Sequence, residues 1–354
     1  MYSRLFFGSP IHINKSTIYF TVNIYMTFII TAKEVQSVLT YPLSLKTVEA
    51  AFKAFGLGKA YQPPKSYLTF KDGDLRSMSA YINTPGMNIA GMKSVNVHPD
   101  NHKKFGLPTV MATILLIDPK SGFNVAILDG TYITNMRTGA SGGVATKYLS
   151  RKESKIMALI GAGTQARTQL GHILLTRRLK EVRVHSRPEK SMIRFCKEMS
   201  KIYPKISFIP EPDGKMACRG ADIITTTTTT RKPIIKKSWV APGTHINGIG
   251  ADASGKQELE LALTKSCNII IDEWQQASHS GEINVAVSKG KLKRQDVYAE
   301  LGEIAAGKKK GRTSDDEITL FDSTGLAIQD VSTAYVVYKA LIKKSVMPKK
   351  INLF

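Results

Sequence analysis

Cysteine is scarce, with three in 354 residues. Cys196, Cys218 and Cys267 lie too far apart for a CxxC pair or a disulfide framework. They read as incidental thiols of a reducing compartment, which makes the cytoplasm the default location. Histidine is sparse too, seven in all, and His98, His102 and His279 do not stand at ligand spacings, so no metal site is expected. Long apolar runs are missing. Phe6-Phe7 and Ile18–Val22 are broken by polar residues and are not followed by a small-residue cleavage site, which argues against a membrane span or a secretory leader. These first 25 residues differ in texture from the rest and are expected to be a loose extension or a mis-assigned start.

Acidic residues are also in short supply: 28 Asp and Glu stand against 50 Lys and Arg, for a net charge of +22. The lysines are scattered, and the densest run, Lys308–Lys310, sits between Gly307 and Gly311 as a loop would. Without a basic helix interleaved with aromatics, a nucleic-acid partner is not expected. A solvated, lysine-rich surface that favours small anionic ligands is the simpler reading.

What is present is ordered punctuation. Thr31-Ala-Lys-Glu34 is a capping box opening a helix at Val35 and Val38. A second amphipathic helix carries Val48, Ala51, Phe52 and Phe55 and stops at Gly56 and Gly58. Next come segments of strand character: 65–70 and 75–81 around the turn Lys71-Asp-Gly-Asp74, then 89–97, 110–117 and 123–128. They predict an antiparallel meander. Lys65, Arg76 and Lys93 lie on or beside these strands, and Arg137 follows in a helical stretch. Strand cations usually face solvent. Converging on one surface without acid neighbours, they would instead form a carboxylate site.

Met157–Leu170 reads as strand, two-glycine turn and helix, with the pattern GxGxxA. Gly161 makes the turn, Gly163 lets the backbone approach a pyrophosphate, and Ala166 needs only to be small, with Thr164 and Gln165 in the same turn as further cofactor contacts. The helix is expected over 167–175. Alternating segments at 181–185, 191–202, 206–209, 221–227, 244–249 and 268–271 complete the pattern of a doubly wound parallel sheet. The second strand ends at Ser186-Arg187, with no carboxylate for a ribose hydroxyl. NADP is therefore favoured over NAD, unless Arg187 is merely exposed. Thr226 and Thr227 end a strand on the cofactor side. Asn247, at the end of the next strand, and Gly325 complete the expected cofactor contacts. Asp252, just past that strand, could position water or take a proton beside a departing hydride; it could equally cap a helix begun by Lys256 and Glu258.

The stretches NVHPDN (96–101), LDGTYITNMRTGASGG (128–143), IGAGTQAR (160–167), GIGADASGKQEL (248–259), HSGEIN (279–284) and DSTGLAIQD (322–330) resemble the ornithine cyclodeaminase/μ-crystallin family over residues 28–345. The resemblance implies an α/β chain in which a Rossmann domain (146–322) is inserted into a discontinuous α+β substrate and dimerisation domain (26–145 plus 323–354), forming a homodimer. It implies chemistry at the Cα of an amino or imino acid. Lys93 and Arg137 would bind the substrate carboxylate, and Asp252 would be the acid–base group. Arg76 stands where cyclodeaminases carry a glutamate for the distal amine of ornithine. Together with Lys65 it is similar to the alanine dehydrogenase branch, in which this Lys and Arg matter for activity. An alanine dehydrogenase is thus expected, with ornithine cyclodeaminase, ketimine reductase and a non-catalytic nucleotide-binding protein as the alternatives.

Overall fold

The computed structural model describes residues 26–344 and 348–353; the suspected extension at 1–25 lies outside them. The Thr31 capping box forms as expected: the Thr31 amide donates to Glu34 Oε2 at 2.7 Å, opening α1 (Ala32–Val38). Helix α2 (Tyr41–Gly56) follows and buries Val48, Ala51 and Phe52.

The meander is present. Strands β3 (Ser66–Phe70), β4 (Gly73–Thr84), β5 (Met87–Val97), β6 (Val110–Ile117) and β7 (Asn124–Asp129) pair antiparallel in succession. The first hairpin is tighter than expected, because Phe70 pairs with Gly73 and leaves only Lys71 and Asp72 in the loop. Strands β1 (Met26–Ile30), β2 (Ala60–Tyr61) and β16 (Lys349–Asn352) complete an eight-stranded sheet, in the order β16-β1-β7-β6-β5-β4-β2 with β3 also on β4. Helix α3 (Thr131–Leu149) leads out of it.

A second eight-stranded sheet is parallel throughout. It comprises β8 (Ile156–Ile160), β9 (Glu181–His185), β10 (Ser207–Pro210), β11 (Ile223–Thr226), β12 (His245–Gly248), β13 (Asn268–Ile271), β14 (Ala299–Glu300) and β15 (Thr319–Asp322), ordered β10-β9-β8-β11-β12-β15-β13-β14. Parallel strands need crossovers covering both faces. Here α4 (Thr164–Ile173) and α5 (Glu189–Ile202) supply two of them. Strand β15, not foreseen as a strand, enters between β12 and β13, and the chain then returns through α6 (Ala327–Lys343) to the antiparallel sheet. The hydrophobic core runs through both units: Phe52 of α2 meets Phe321 of β15 edge to face, with ring centroids 6.5 Å apart. No described helix is long and apolar enough to cross a membrane.

The junction after α3 rests on one side chain. Arg177, 7% exposed, donates to the carbonyls of Thr146, Lys147, Ser150, Arg151 and Thr176 and to Ser150 Oγ, at 2.7–3.1 Å. These include carbonyls of the α3 C-terminus, of which that of Thr146 also accepts from the Ser150 amide. Arg177→Ala removes these guanidinium bonds and should cost about 3 kcal/mol, read as a lower urea midpoint. An unchanged midpoint would show that water replaces the guanidinium at no cost.

Candidate active site

Because side chains alternate across a strand, every second residue of β4 and β5 faces α6 and the interior. Arg76 and Met78 on β4 stand directly opposite Val95 and Lys93 on β5. The result is a checkerboard of two cations and two apolar groups. Arg137 projects from α3 and Lys65 from the segment before β3. All four cations line one cavity of about 250 Å³, whose far wall holds Gln165, Thr227, Gly250 and Asp252 from the carboxyl ends of the parallel strands. Met78, Val95, Val97, Val110 and Ile249 form its apolar side.

The expected convergence occurs, but acids are not absent. Lys93, 1% exposed, pairs with Asp330 of α6 at 2.8 Å. Arg137 Nε meets the other oxygen of the same carboxylate at 2.9 Å, and its Nη1 donates to Gln329 Oε1 at 3.0 Å. Arg76 spans Asp74 at 2.7 Å and Asp252 at 2.9 Å. Lys65 alone reaches no carboxylate; its Nζ donates to the Thr324 carbonyl at 2.6 Å. The physical reason is burial, since an unpaired charge taken out of water costs far more than a paired one.

Burial pulls the Lys93 ammonium down to about 7, Arg137 adding to the effect and Asp330 opposing it. It pulls Lys65 down to about 8, against the carboxylate of Asp272. For Asp252 burial works upward, but Arg76 and Lys256 overcome it and hold the carboxyl at about 2. Lys256 Nζ lies 2.6 Å from Asp252 Oδ1, so Lys256 braces the aspartate rather than opening a helix. Arg76 stays charged because its bonds to Asp74 and Asp252 outweigh desolvation. Its charge is matched by those two carboxylates. It would therefore exclude a distal ammonium by occupying both acceptors.

The glycine turn has the shape a dinucleotide requires. Gly161 sits at φ +111°, and a Cβ there would collide with the Thr227 hydroxyl. A Cβ on Gly163 would meet no protein atom, so the space in front of the α4 N-terminus is open. Gly163 caps α4 without a side-chain bond, leaving the first amides free for phosphate oxygens. The helix begins at Thr164, three residues earlier than expected, because Gly163 already serves as its cap. Thr164 is exposed, Gln165 half-buried and Ala166 buried under the helix. Ser186 is half-buried and Arg187 exposed, just past β9.

Two expected contacts are corrected. The side chain of Thr226 is fully buried and donates to Glu258 Oε2 at 2.6 Å. That of Asn247 is also fully buried, its amide 2.9 Å from Thr146 Oγ1. Asn247 is in register with Thr225, so Thr226 and Asn247 face opposite sides of the sheet: Asn247 points into the packing against α3, and Thr226 toward the loop that carries Glu258. Gly325, at φ +77°, does line the cavity, but what it accommodates is Arg137: a side chain there would collide with the guanidinium.

A model of the ornithine cyclodeaminase/mu-crystallin family matches residues 26–345. The chain belongs to this family. It is 48% identical to the alanine dehydrogenase of Archaeoglobus fulgidus over 326 residues, 91% of this chain and 98% of that protein. Among solved structures it is similar to an archaeal alanine dehydrogenase dimer with bound NAD, with TM-score 0.89, 48% identity, and coverage of 93% of this chain and 100% of the other. It is also similar to the Δ1-pyrroline-2-carboxylate reductase of Thermococcus litoralis with NADH and L-proline, with TM-score 0.87, 35% identity, and coverage of 92% and 100%.

In this member of the family the residues that sequence reasoning missed are mostly acids. Asp74 could have been found, lying two positions from Arg76 on the same strand face. Asp330 stood in a quoted motif with no role. Glu258 is fully buried and accepts from Thr226 Oγ1, from the Thr228 amide and hydroxyl, and from the Gly250 amide, tying the loops after β11 and β12. Asp330→Ala leaves two buried cations without a counter-ion and should destabilise the fold by about 3–5 kcal/mol, with Asp330→Asn recovering part of it. Equal urea midpoints for wild type and Asp330→Ala would contradict the pairing.

Proposed function

We propose that the chain is an NAD(P)-dependent L-alanine dehydrogenase, converting L-alanine, water and oxidised cofactor to pyruvate, ammonium, reduced cofactor and a proton. One observation carries this reading: Lys65, Arg76, Lys93, Arg137 and Asp252 line a single small, apolar-sided cavity at the carboxyl ends of a nucleotide-type sheet. The likeness to archaeal alanine dehydrogenase supports it. Arg76, Lys93, Arg137 and Lys256 contact three carboxylates, and Lys65 adds a cation that contacts none, an excess suited to one substrate carboxylate. Neither Asp74 nor Asp252 is free for a second ammonium, which disfavours ornithine.

Gly161, Gly163, Thr164, Gln165 and Thr227 are the residues that would hold the dinucleotide. The bound nicotinamide supplies an acceptor for the hydride that leaves the substrate Cα. Lys93 and Arg137 grip the substrate carboxylate, while Met78 and Val95 face its methyl group. Lys65, with a titration point near neutrality, takes the proton that the substrate ammonium must lose before hydride departs. Asp252, held as an anion by Arg76 and Lys256, orients the water that attacks the resulting imino acid. It acts as an acceptor and not as a proton store.

Further parts of the proposal follow the same lines. The units are 26–145 with 323–354 for substrate and dimerisation, and 146–322 for the nucleotide. Exposed Tyr61, Leu68 and Phe70 on the antiparallel sheet support burial against a second copy. Three unpaired thiols suit the cytoplasm. Ser186 and Arg187 favour NADP over NAD.

Purified protein given L-alanine and NAD⁺ or NADP⁺ should accumulate reduced cofactor with one ammonium per turnover. Ammonium from L-ornithine without net reduction would instead indicate a cyclodeaminase. Because Lys65 must be neutral to accept a proton, kcat/KM for alanine should rise with pH through about 8, and Lys65→Ala should remove that limb. Asp252→Asn should lower kcat by at least about 100-fold while nucleotide affinity is kept. Arg187→Asp should shift the NADP/NAD ratio of kcat/KM toward NAD; an unchanged ratio would take Arg187 out of cofactor choice.

A further inference from the structure

Lys65 enters the cavity from a segment outside either sheet, and among the described residues only the Thr324 carbonyl receives its ammonium. What fixes that carbonyl is Asp272, the residue after β13, which is fully buried. Its carboxylate accepts from the Thr324 amide at 2.6 Å, the Thr324 hydroxyl at 2.8 Å and the Gly325 amide at 2.7 Å. One further bond comes from the Glu273 amide at 2.9 Å. Among the described residues no cation touches it. A carboxylate that takes three of its four donors from one turn is a mould for that turn, since its lone pairs are used to orient the Thr324 and Gly325 amides and the Thr324 hydroxyl. The turn carries two consequences: the Thr324 carbonyl seats Lys65, and Gly325, in its left-handed conformation, leaves the room that the guanidinium of Arg137 occupies.

We propose that Asp272 is a positioning residue of the active site, holding the Thr324–Gly325 turn so that Lys65 and Arg137 present their charges to the substrate together. The proposal rests on the dehydrogenase reading for what those charges do, and on the hydrogen bonds alone for where they are.

Asp272 also acts on Lys65 through its charge. The groups facing Lys65 are Asp272 and Asp252, which favour its protonated form, and Arg76, Arg137 and Lys93, which disfavour it. Asp322, raised to about 8 chiefly by burial, also feels the Asp272 charge. Replacing Asp272 by Asn removes one of the two negative charges. It also turns an amide NH₂ toward backbone donors, which loosens the turn. Both effects favour the neutral amine.

The test reads Lys65 directly. Full-length protein is labelled with trace acetic anhydride across a pH series, and the Lys65 peptide is quantified by mass spectrometry. Wild type should show a midpoint near 8. In Asp272→Asn the midpoint should fall by about one pH unit, with KM for alanine rising more than kcat falls because Arg137 is displaced too. The acid limb of kcat/KM should move with it, and adding Lys65→Ala should abolish that movement. If Asp272→Asn does not fold, Thr324→Val decides, since it deletes only the hydroxyl bond to Asp272 and should give a smaller shift of the same sign. A folded variant whose Lys65 midpoint matches wild type overturns the proposal, whatever happens to turnover. A shifted midpoint in a protein that oxidises no alanine upholds the positioning role and refutes the dehydrogenase reading.

Discussion

A buried aspartate that two cations must reach is the constraint around which this molecule closes. Asp330 lies on the inner face of α6, with no exposed surface. Its counter-ions come from β5 and from α3, elements the chain made before it entered the parallel sheet. Burying such an ion is tolerable only if both partners arrive. The return of α6 across the antiparallel sheet and the assembly of the cationic cavity are therefore one event. The interior helix that completes the first unit also completes the site.

The cavity is a lattice of ion pairs that carries a small excess of cations. Each arginine is tied to carboxylates, and both lysines titrate well below their ordinary range because they are buried among like charges. Such a lattice holds its cations in place without a ligand, which favours preorganisation over induced closure. Asp252 belongs to it equally: gripped by Arg76 and Lys256, it keeps a fixed orientation and a permanent charge.

Much of the fold could be read from the chain because its signals are local. The period-two pattern and the short turn at Lys71-Asp72 give the meander, and the strand–glycine–helix run at 156–173 gives the start of the parallel sheet. Strand β15 escaped because Thr319–Asp322 is a four-residue run too short to carry a periodic signal, and its place between β12 and β13 is a matter of topology. The cations were visible one by one, but their partners were not. Arg76 and Asp252 are 176 residues apart, Lys93 and Asp330 237, and Lys65 and Thr324 259. No spacing rule spans such distances. Thr226 and Asn247 sit at the carboxyl ends of the right strands, but their side chains are taken up by protein partners, Glu258 on one face and Thr146 on the other.

The checkerboard on β4 and β5 separates two jobs that usually compete. Arg76 and Lys93 are fixed by ion pairs, whereas Met78 and Val95, directly across from them, are fixed only by shape. Apolar shape can be traded for another volume at modest cost, while a buried ion cannot lose its partner cheaply. Drift at the two shape positions can therefore retune which side chain is admitted while the grip on the acid group stays intact, so that this ribbon is a place where new substrates can be acquired in small steps.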